Sequence, residues 1–278
     1  MTLLEVLQST TAYFKKREVE SPRLNAEHLL AHVLKRKRIE LYLEFERILD
    51  ESELEPLRDL VRRRGQGEPL QHLLGTVEFC GHTFLCDKRA LVPRPETEEL
   101  VELLKAKIQN PKSRIIDVGT GSGAIALSLA AYFPDAEVHA VDISDEALSL
   151  AQENAARLGL EARVDFVKGD LLNARTPGFD LIVANLPYVA TAERSHLSRE
   201  VLHDPETAVF GGEIGDELIR QLITAAPAHL APGGVLALEI GIGQSEALAG
   251  LLGEENYHDI QSIRDYCGVT RFLFARYG

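Results

Sequence analysis

Two short segments carry residue types that could do chemistry. The first, Asp117-Val118-Gly119-Thr120-Gly121-Ser122-Gly123, follows the apolar pair Ile115-Ile116 and places glycine at every second position before a helical pattern begins. Glycine lets the backbone turn tightly and approach a ligand closely. Gly119-x-Gly121-x-x-Ala124 also satisfies a loose dinucleotide fingerprint, so the loop alone implies a nucleotide-like ligand without choosing it. Asp142 ends the next apolar run, where a carboxylate can accept hydrogen bonds from both hydroxyls of a ribose. That suits NAD and S-adenosylmethionine equally and disfavours a 2′-phosphate. Asp170 follows a third run, with Leu171 and Leu172 beside it. Such an acidic–apolar pair can meet an adenine amino group and ring face; it can equally cap a helix or close a turn.

The second segment is Asn185-Leu186-Pro187-Tyr188. It separates the two cofactors. An amide nitrogen is a poor nucleophile because its lone pair is delocalised into the carbonyl. An enzyme that methylates it must hold both N–H bonds, aim the lone pair and stabilise developing charge, which is positioning and electrostatic complementarity without a strong base. The Asn185 side-chain oxygen can accept one N–H and the Leu186 main-chain carbonyl the other. Tyr188 can stack on the planar group, and Pro187 stiffens the turn. The pair of segments therefore points to methyl transfer from S-adenosylmethionine to an amide-like nitrogen.

Alternating elements must position these residues. From Pro93 onward, helices are expected over 97–108, 123–132, 145–158, 216–230 and 245–252. Strands are expected over 114–118, 137–142, 163–168, 180–184, 234–240, 258–263 and 270–275. This order implies an α/β, Rossmann-like fold with a mostly parallel seven-stranded sheet covered on both faces. The last two strands follow each other without a helix and should pair antiparallel at the sheet edge. Residues 1–67 read instead as a small all-α bundle, with Ser21-Pro22 as a serine cap followed by first-turn proline, a third helix over 39–45, a fourth from Asp50 or Ser52, and Gly65 and Gly67 as its stop. Residues 68–92 read as a β-hairpin linker around Gly81, and 93–278 as the catalytic domain. Lys and Arg are frequent in the bundle, including Lys35 to Arg38 and Arg62 to Arg64. Singly they read as solvated or helix-capping cations; the bundle as a whole reads as a docking domain.

The formal net charge of -13 argues against a global electrostatic grip on nucleic acid. The three cysteines, Cys80, Cys86 and Cys267, make no disulfide framework, and packing as small hydrophobes is favoured over a metal site with His82. No metal is expected. Neither a spanning segment nor a signal peptide is recognisable, so a cytoplasmic protein is expected.

The chain resembles the HemK/PrmC protein-glutamine methyltransferases, which modify peptide-chain release factors. Asn185 to Tyr188 is similar to the family's Asn-Pro-Pro-Tyr, with Leu186 in place of a proline; the carbonyl proposed to act there is kept. Leu91-Val92-Pro93-Arg94-Pro95-Glu96-Thr97-Glu98 resembles the block before the first catalytic-domain helix. Gly67-Glu68-Pro69-Leu70 with Gly75 resembles the linker, and Asn25-Ala26-Glu27 lies in what resembles a substrate-recognition domain. Glu239-Ile240-Gly241 with Gln244, and Asp265-Tyr266-Cys267-Gly268 with Arg271, resemble C-terminal blocks. The resemblance implies S-adenosylmethionine held by Gly119, Thr120, Gly121, Ser122, Gly123, Asp142, Asp170, Leu171 and Asn185. It implies catalysis by Asn185 and Tyr188, and substrate binding by Asn185, Leu186, Pro187 and Tyr188. The implied substrate is the glutamine of the Gly-Gly-Gln motif of class I release factors, modified by a monomer without direct nucleic-acid or membrane contact.

Four other functions compete. A ribosomal-protein glutamine methyltransferase would differ around the Pro-Arg block. An adenine-N6 nucleic-acid methyltransferase could use the same clamp, but acidity opposes it. An NAD oxidoreductase leaves Asn185 to Tyr188 unexplained, and a non-catalytic cofactor module leaves the intact clamp without purpose.

Overall fold

The computed structural model describes residues 1–173 and 176–278. The chain forms two compact units, one of residues 1–76 with 198–203, the other of 77–197 with 204–278.

The first unit is helical. Helix α1 (Leu3–Lys16) starts with a reciprocal capping box between Thr2 and Glu5. Helix α2 (Pro22–Leu34) does begin at the Ser21-Pro22 pair, but Ser21 is left-handed (φ 45°) and makes no side-chain cap. Asn25 Nδ2 instead donates to the carbonyls of Glu20 and Ser21 (2.9 and 3.2 Å). The third helical segment is a 3-10 turn over Arg38–Leu43, and α3 (Glu51–Arg64) is capped by Asp50 through a second capping box. Their apolar faces meet around Leu3, Leu7, Phe14, Leu29, Leu30 and Leu41. Arg64 corrects the expectation of a solvated basic surface. It is 3% exposed, donating to Asn25 Oδ1 (2.7 Å), to the Glu68 carbonyl (3.1 Å) and to Glu200. Leu70–Leu74, expected to be extended, is a short helix α4. Pro69 starts it and left-handed Gly75 stops it.

The second unit opens within the hairpin of β1 (Thr76–Phe79), whose first residue still belongs to the first unit, and β2 (His82–Leu85), followed by α5 (Pro95–Lys107). There follow β3 (Arg114–Val118), α6 (Ala124–Tyr132), β4 (Glu137–Asp142), α7 (Asp145–Leu158), β5 (Val164–Lys168) and β6 (Phe179–Ala184). After β6 come β7 (Val189–Ala190), α8 (Glu206–Val209), β8 (Phe210–Gly212), α9 (Glu217–Ala225), β9 (Leu230–Glu239), α10 (Ser245–Glu254), β10 (Tyr257–Arg264) and β11 (Thr270–Tyr277). Helix α9 is shorter than expected because Pro227 lies in the 3-10 turn that follows it.

The main sheet has the order β10-β11-β9-β6-β3-β4-β5. It is a mostly parallel Rossmann-like sheet in which β11 runs against both neighbours, so the reversed strand lies one place inside the edge strand β10. Alternate residues serve opposite faces. Ile115, Leu181, Val183 and Phe272 pack with α5 and α6, whereas Ile116, Ile182, Ala184 and Leu273 pack with α9 and α10. Burial of both faces explains the nearly unbroken apolar runs of β3 and β6. From β3 the chain runs outward through β4 and β5, then returns to β6 on the other side of β3. Crevices for ligands form at such a reversal, at the carboxyl ends of the strands.

Candidate active site

A cleft of ≈ 310 Å³ lies at that reversal. Its wall includes the loop after β3, Asp142 at the end of β4, Asp170 and Leu171 after β5, and Asn185 to Pro187 after β6. Strand topology thus brings together segments distant in sequence.

The glycine loop is braced from below. The N–H groups of Gly119 and Thr120 donate to the Val141 carbonyl (2.8 and 3.0 Å), and that of Gly121 to Asp142 Oδ2 (2.8 Å). The other oxygen, Asp142 Oδ1, accepts from Ser144 N (2.9 Å). Each carboxylate oxygen therefore has one fixed main-chain donor and lone-pair capacity to spare. Gly119 has φ +74°, and a Cβ there would sit 2.8 Å from Leu186 Cδ2. The first segment is thereby packed directly against the second.

The loop residues differ in what they face. The Thr120 hydroxyl donates to Asp117 Oδ2 (2.6 Å). Ser122 is 4% exposed, and its carbonyl accepts from the buried Asn154 side chain (3.0 Å). Asn154 also bonds the main chain of Leu85, tying the hairpin to the loop. Gly123 lies outside the cleft wall; a Cβ there would meet Leu127 and Ala151, so it serves helix packing. By contrast, a Cβ on Gly121 would meet only Ala90, at 3.8 Å.

Asp117 is fully buried, and burial pushes its carboxyl up to about 7. Its Oδ2 also accepts from Ala126 N (3.2 Å), while Oδ1 has no partner among the described residues. Leu171 is left-handed (φ 50°), an uncommon conformation for leucine, and forms part of the apolar wall with Ile143, Ala208, Phe210 and Leu218. Ile143 is 60% exposed although apolar, which suits a surface awaiting a flat ring.

After β6, Asn185 Nδ2 donates to Thr97 Oγ1 (2.9 Å), and no described residue donates to Asn185 Oδ1. The amide oxygen is thus available as an acceptor. Leu186 is 5% exposed and belongs to the core beside α9 and α10. Tyr188 stands outside the cleft wall, packed against the same core, and burial pushes its hydroxyl up to about 12. Its carbonyl accepts from Gln244 Nε2 (2.9 Å), whose Oε1 accepts from Gly241 N (2.8 Å). Gly211 passes so close to the Pro187 carbonyl that a Cβ would overlap it. Arg94 pairs with the buried Asp204 (2.7 Å), which also accepts from Val92 N (3.3 Å). That pair holds the Pro-Arg block at the cleft.

These features fit S-adenosylmethionine. A cradle with room at Gly121, an anchored carboxylate with spare lone pairs and an apolar wall match its methionine end, ribose and adenine respectively. Among the described residues no group of three or more His, Cys, Asp or Glu could hold a metal. The thiols of Cys80 and Cys86 are pushed up to about 11 and about 12 by burial.

Family comparison agrees with this geometry. Residues 5–75 match the PrmC N-terminal domain and residues 95–214 the methyltransferase small domain. A release factor glutamine methyltransferase from Deinococcus radiodurans is 44% identical over 99% of this chain and 99% of its own. One from Geobacter sulfurreducens is 40% identical over 100% and 97%. The chain belongs to the release factor glutamine methyltransferase family. A Thermus thermophilus 16S rRNA N2 G1207 methyltransferase, solved with AdoMet and guanosine, shares the fold. Its TM-score is 0.53 at 21% identity, over 73% of this chain and 50% of that one. The family is enzymatic and uses S-adenosylmethionine.

Asn154, Asp204 and Ile143 carry no site signal in the sequence, and Thr97, Glu239 and Gln244 stand out there only as parts of a resemblance. One signal was available for Glu239: like Asp117 and Asp142, it is acidic near the carboxyl end of an apolar run. Among the described residues no helix is long and apolar enough to cross a membrane.

Proposed function

We propose that this chain transfers the methyl group of S-adenosylmethionine to the side-chain amide nitrogen of the glutamine in the Gly-Gly-Gln motif of class I peptide chain release factors. The observation that carries the reading is the Asn185 amide: its NH2 is engaged by Thr97, which leaves its oxygen as an acceptor in the same cleft as the glycine loop and Asp142. Bound S-adenosylmethionine would supply an electrophilic methyl on a sulfonium. Gly119, Gly121, Asp142, Asp170 and Leu171 would hold it, with Thr120, Ser122 and Gly123 shaping the loop.

Asn185 Oδ1 accepts one N–H of the glutamine, and the Leu186 carbonyl accepts the other. Both acceptors favour the partial positive charge that builds on nitrogen as the N–C bond forms and the C–S bond breaks. The surplus proton then passes from the nitrogen to solvent water, and the demethylated thioether would leave as the other product. Pro187 and Tyr188 stiffen and floor the turn, and Gln244 fixes the Tyr188 carbonyl.

The first unit contributes grip on the folded partner, since the cleft is lined from the second unit alone. One chain supplies this whole lining, so a monomer suffices for the chemistry. The net charge of -13 supports action on a protein without direct nucleic-acid binding, and a release factor as substrate puts that action in the cytoplasm.

Incubation with labelled S-adenosylmethionine and a purified class I release factor, followed by peptide mapping, tests this. Label is expected on the motif glutamine. Label elsewhere, or only on a ribosomal protein or nucleic acid, would overturn it. The intact factor should also give a higher kcat/KM than a short Gly-Gly-Gln peptide; equal values would remove the docking role.

A further inference from the structure

Beyond Asn185 the polar chain continues. Thr97 Oγ1 accepts from Asn185 Nδ2 (2.9 Å) and donates to Glu239 Oε2 (2.7 Å). Thr97 is 4% exposed and Glu239 1%. The sheet dictates the arrangement: Ala184 of β6 pairs with Leu238 of β9, so the next residues, Asn185 and Glu239, are neighbours where both strands end. Helix α5 lays Thr97 across them in its first turn.

We propose that Glu239 and Thr97 are positioning residues that lock the Asn185 amide with its oxygen facing the substrate. This rests on the methyl-transfer reading above. The argument is an inventory of protons. An ionised carboxylate only accepts hydrogen bonds, and a hydroxyl has one proton. If Thr97 gives that proton to Glu239, it can only accept from Asn185, so the NH2 must face Thr97 and Oδ1 must face away. A protonated Glu239 can instead donate to Thr97. The hydroxyl is then free to donate to Asn185, which favours the flipped amide. A flipped Asn185 would present N–H groups to the glutamine N–H groups, and donor would meet donor.

The charge state of Glu239 is therefore the switch. The groups around it are Thr97 and Glu96 on α5, Asn185 and Tyr188 after β6, and Arg271 on β11. Arg271 is itself bonded to Asp265 (3.4 Å). Burial pushes the Glu239 carboxyl up to about 7; its hydrogen bond from Thr97, the charge of Arg271 and a direct contact with the Asn185 side chain oppose the rise, the last holding the NH2 on the Glu239 side as well. The lock is then closed above about pH 7 and released below it.

The test combines turnover with a readout that needs no acceptor. Methyl transfer to a purified release factor would be followed from about pH 5.5 to about 9 in the wild type, Thr97→Ser, Thr97→Val and Glu239→Gln, with S-adenosylmethionine affinity measured by calorimetry. Wild-type kcat should rise with pH through about 7 and level off. Thr97→Ser keeps the hydroxyl and should keep both kcat and the rise. Thr97→Val should lower kcat on the order of 10–100-fold with cofactor affinity unchanged. Glu239→Gln should lower kcat and abolish the acid limb. In parallel, the Asn185 side-chain NH2 resonances, assigned by their loss in Asn185→Ala, should titrate in the wild type and not in Glu239→Gln. A normal kcat in Thr97→Val, an acid limb that survives Glu239→Gln, or an Asn185 signal that does not titrate would overturn the lock. A wild type inactive on the release factor, yet with a titrating Asn185 signal, would overturn the substrate reading and uphold the lock.

Discussion

Gly119→Ala tests whether the glycine loop and the clamp are one mechanical unit. Two costs are expected. Alanine at φ +74° carries left-handed strain of about 1–2 kcal/mol. Its Cβ would also lie 2.8 Å from Leu186 Cδ2, where carbon atoms prefer roughly 3.5–4.0 Å. Leu186 is 5% exposed and packs in the core beside α9 and α10, with the cleft on its other side, so its side chain can give only by moving into the cleft. Overpacking of this kind costs about 1–3 kcal/mol. Trimming the neighbour separates the two terms. Leu186→Ala alone should cost about 2–5 kcal/mol by leaving a cavity. In the double variant the steric term vanishes while the backbone strain remains, so the double should be about 1–3 kcal/mol more stable than the two single losses added. Urea unfolding of all four proteins measures this. Gly121→Ala is the contrast: it has φ +56° but only Ala90 at 3.8 Å, so it should lose S-adenosylmethionine affinity rather than packing. Additivity of Gly119→Ala and Leu186→Ala within about 0.5 kcal/mol would refute the coupling.

Three further outcomes are expected. Asp142→Ala removes a charge-assisted acceptor worth about 1.5–3 kcal/mol, so calorimetry should show S-adenosylmethionine binding roughly 10–100-fold weaker; unchanged affinity would take Asp142 out of the site. Asn185→Ala should lower kcat on the order of 100-fold or more while the protein remains folded, and near-normal turnover on a release factor would sink the acceptor role. For Asp117, the folded carboxyl is raised from 3.8 to about 7, so its contribution to stability is full below pH 3.8 and is lost as pH rises to about 7. Asp117→Asn removes that dependence, so its Tm relative to wild type should improve between about pH 4 and about pH 8; parallel curves would contradict the buried charge.

The order of helices and strands in the second unit was legible because strands buried on both faces read as apolar runs punctuated by glycine and aspartate. Asp117 to Gly123, Asp142 and Asn185 to Tyr188 were legible for a related reason: each sits where an apolar run stops, and a strand end is where a parallel sheet exposes its chemistry. Helix details were less secure. Ser21 has the residue type of a cap but the wrong backbone conformation, and Arg64 has the charge of a surface residue but is 3% exposed. Side-chain partners from distant segments decide both, and a local pattern does not encode them. The same holds for the site's second layer. Thr97, Asn154, Asp204 and Glu239 become functional only through strand order and register, which bring β9 beside β6 and lay α5 across their ends. Residue type and spacing thus determined the fold class and most of the expected residues that line the cleft, though not the places of Gly123 and Tyr188 outside its wall, because strand periodicity and turn chemistry are local. Which buried hydroxyl orients Asn185, and which carboxylate orients that hydroxyl, was decided by the tertiary structure alone, since a hydrogen bond depends on where the atoms meet in space and not on their separation along the chain.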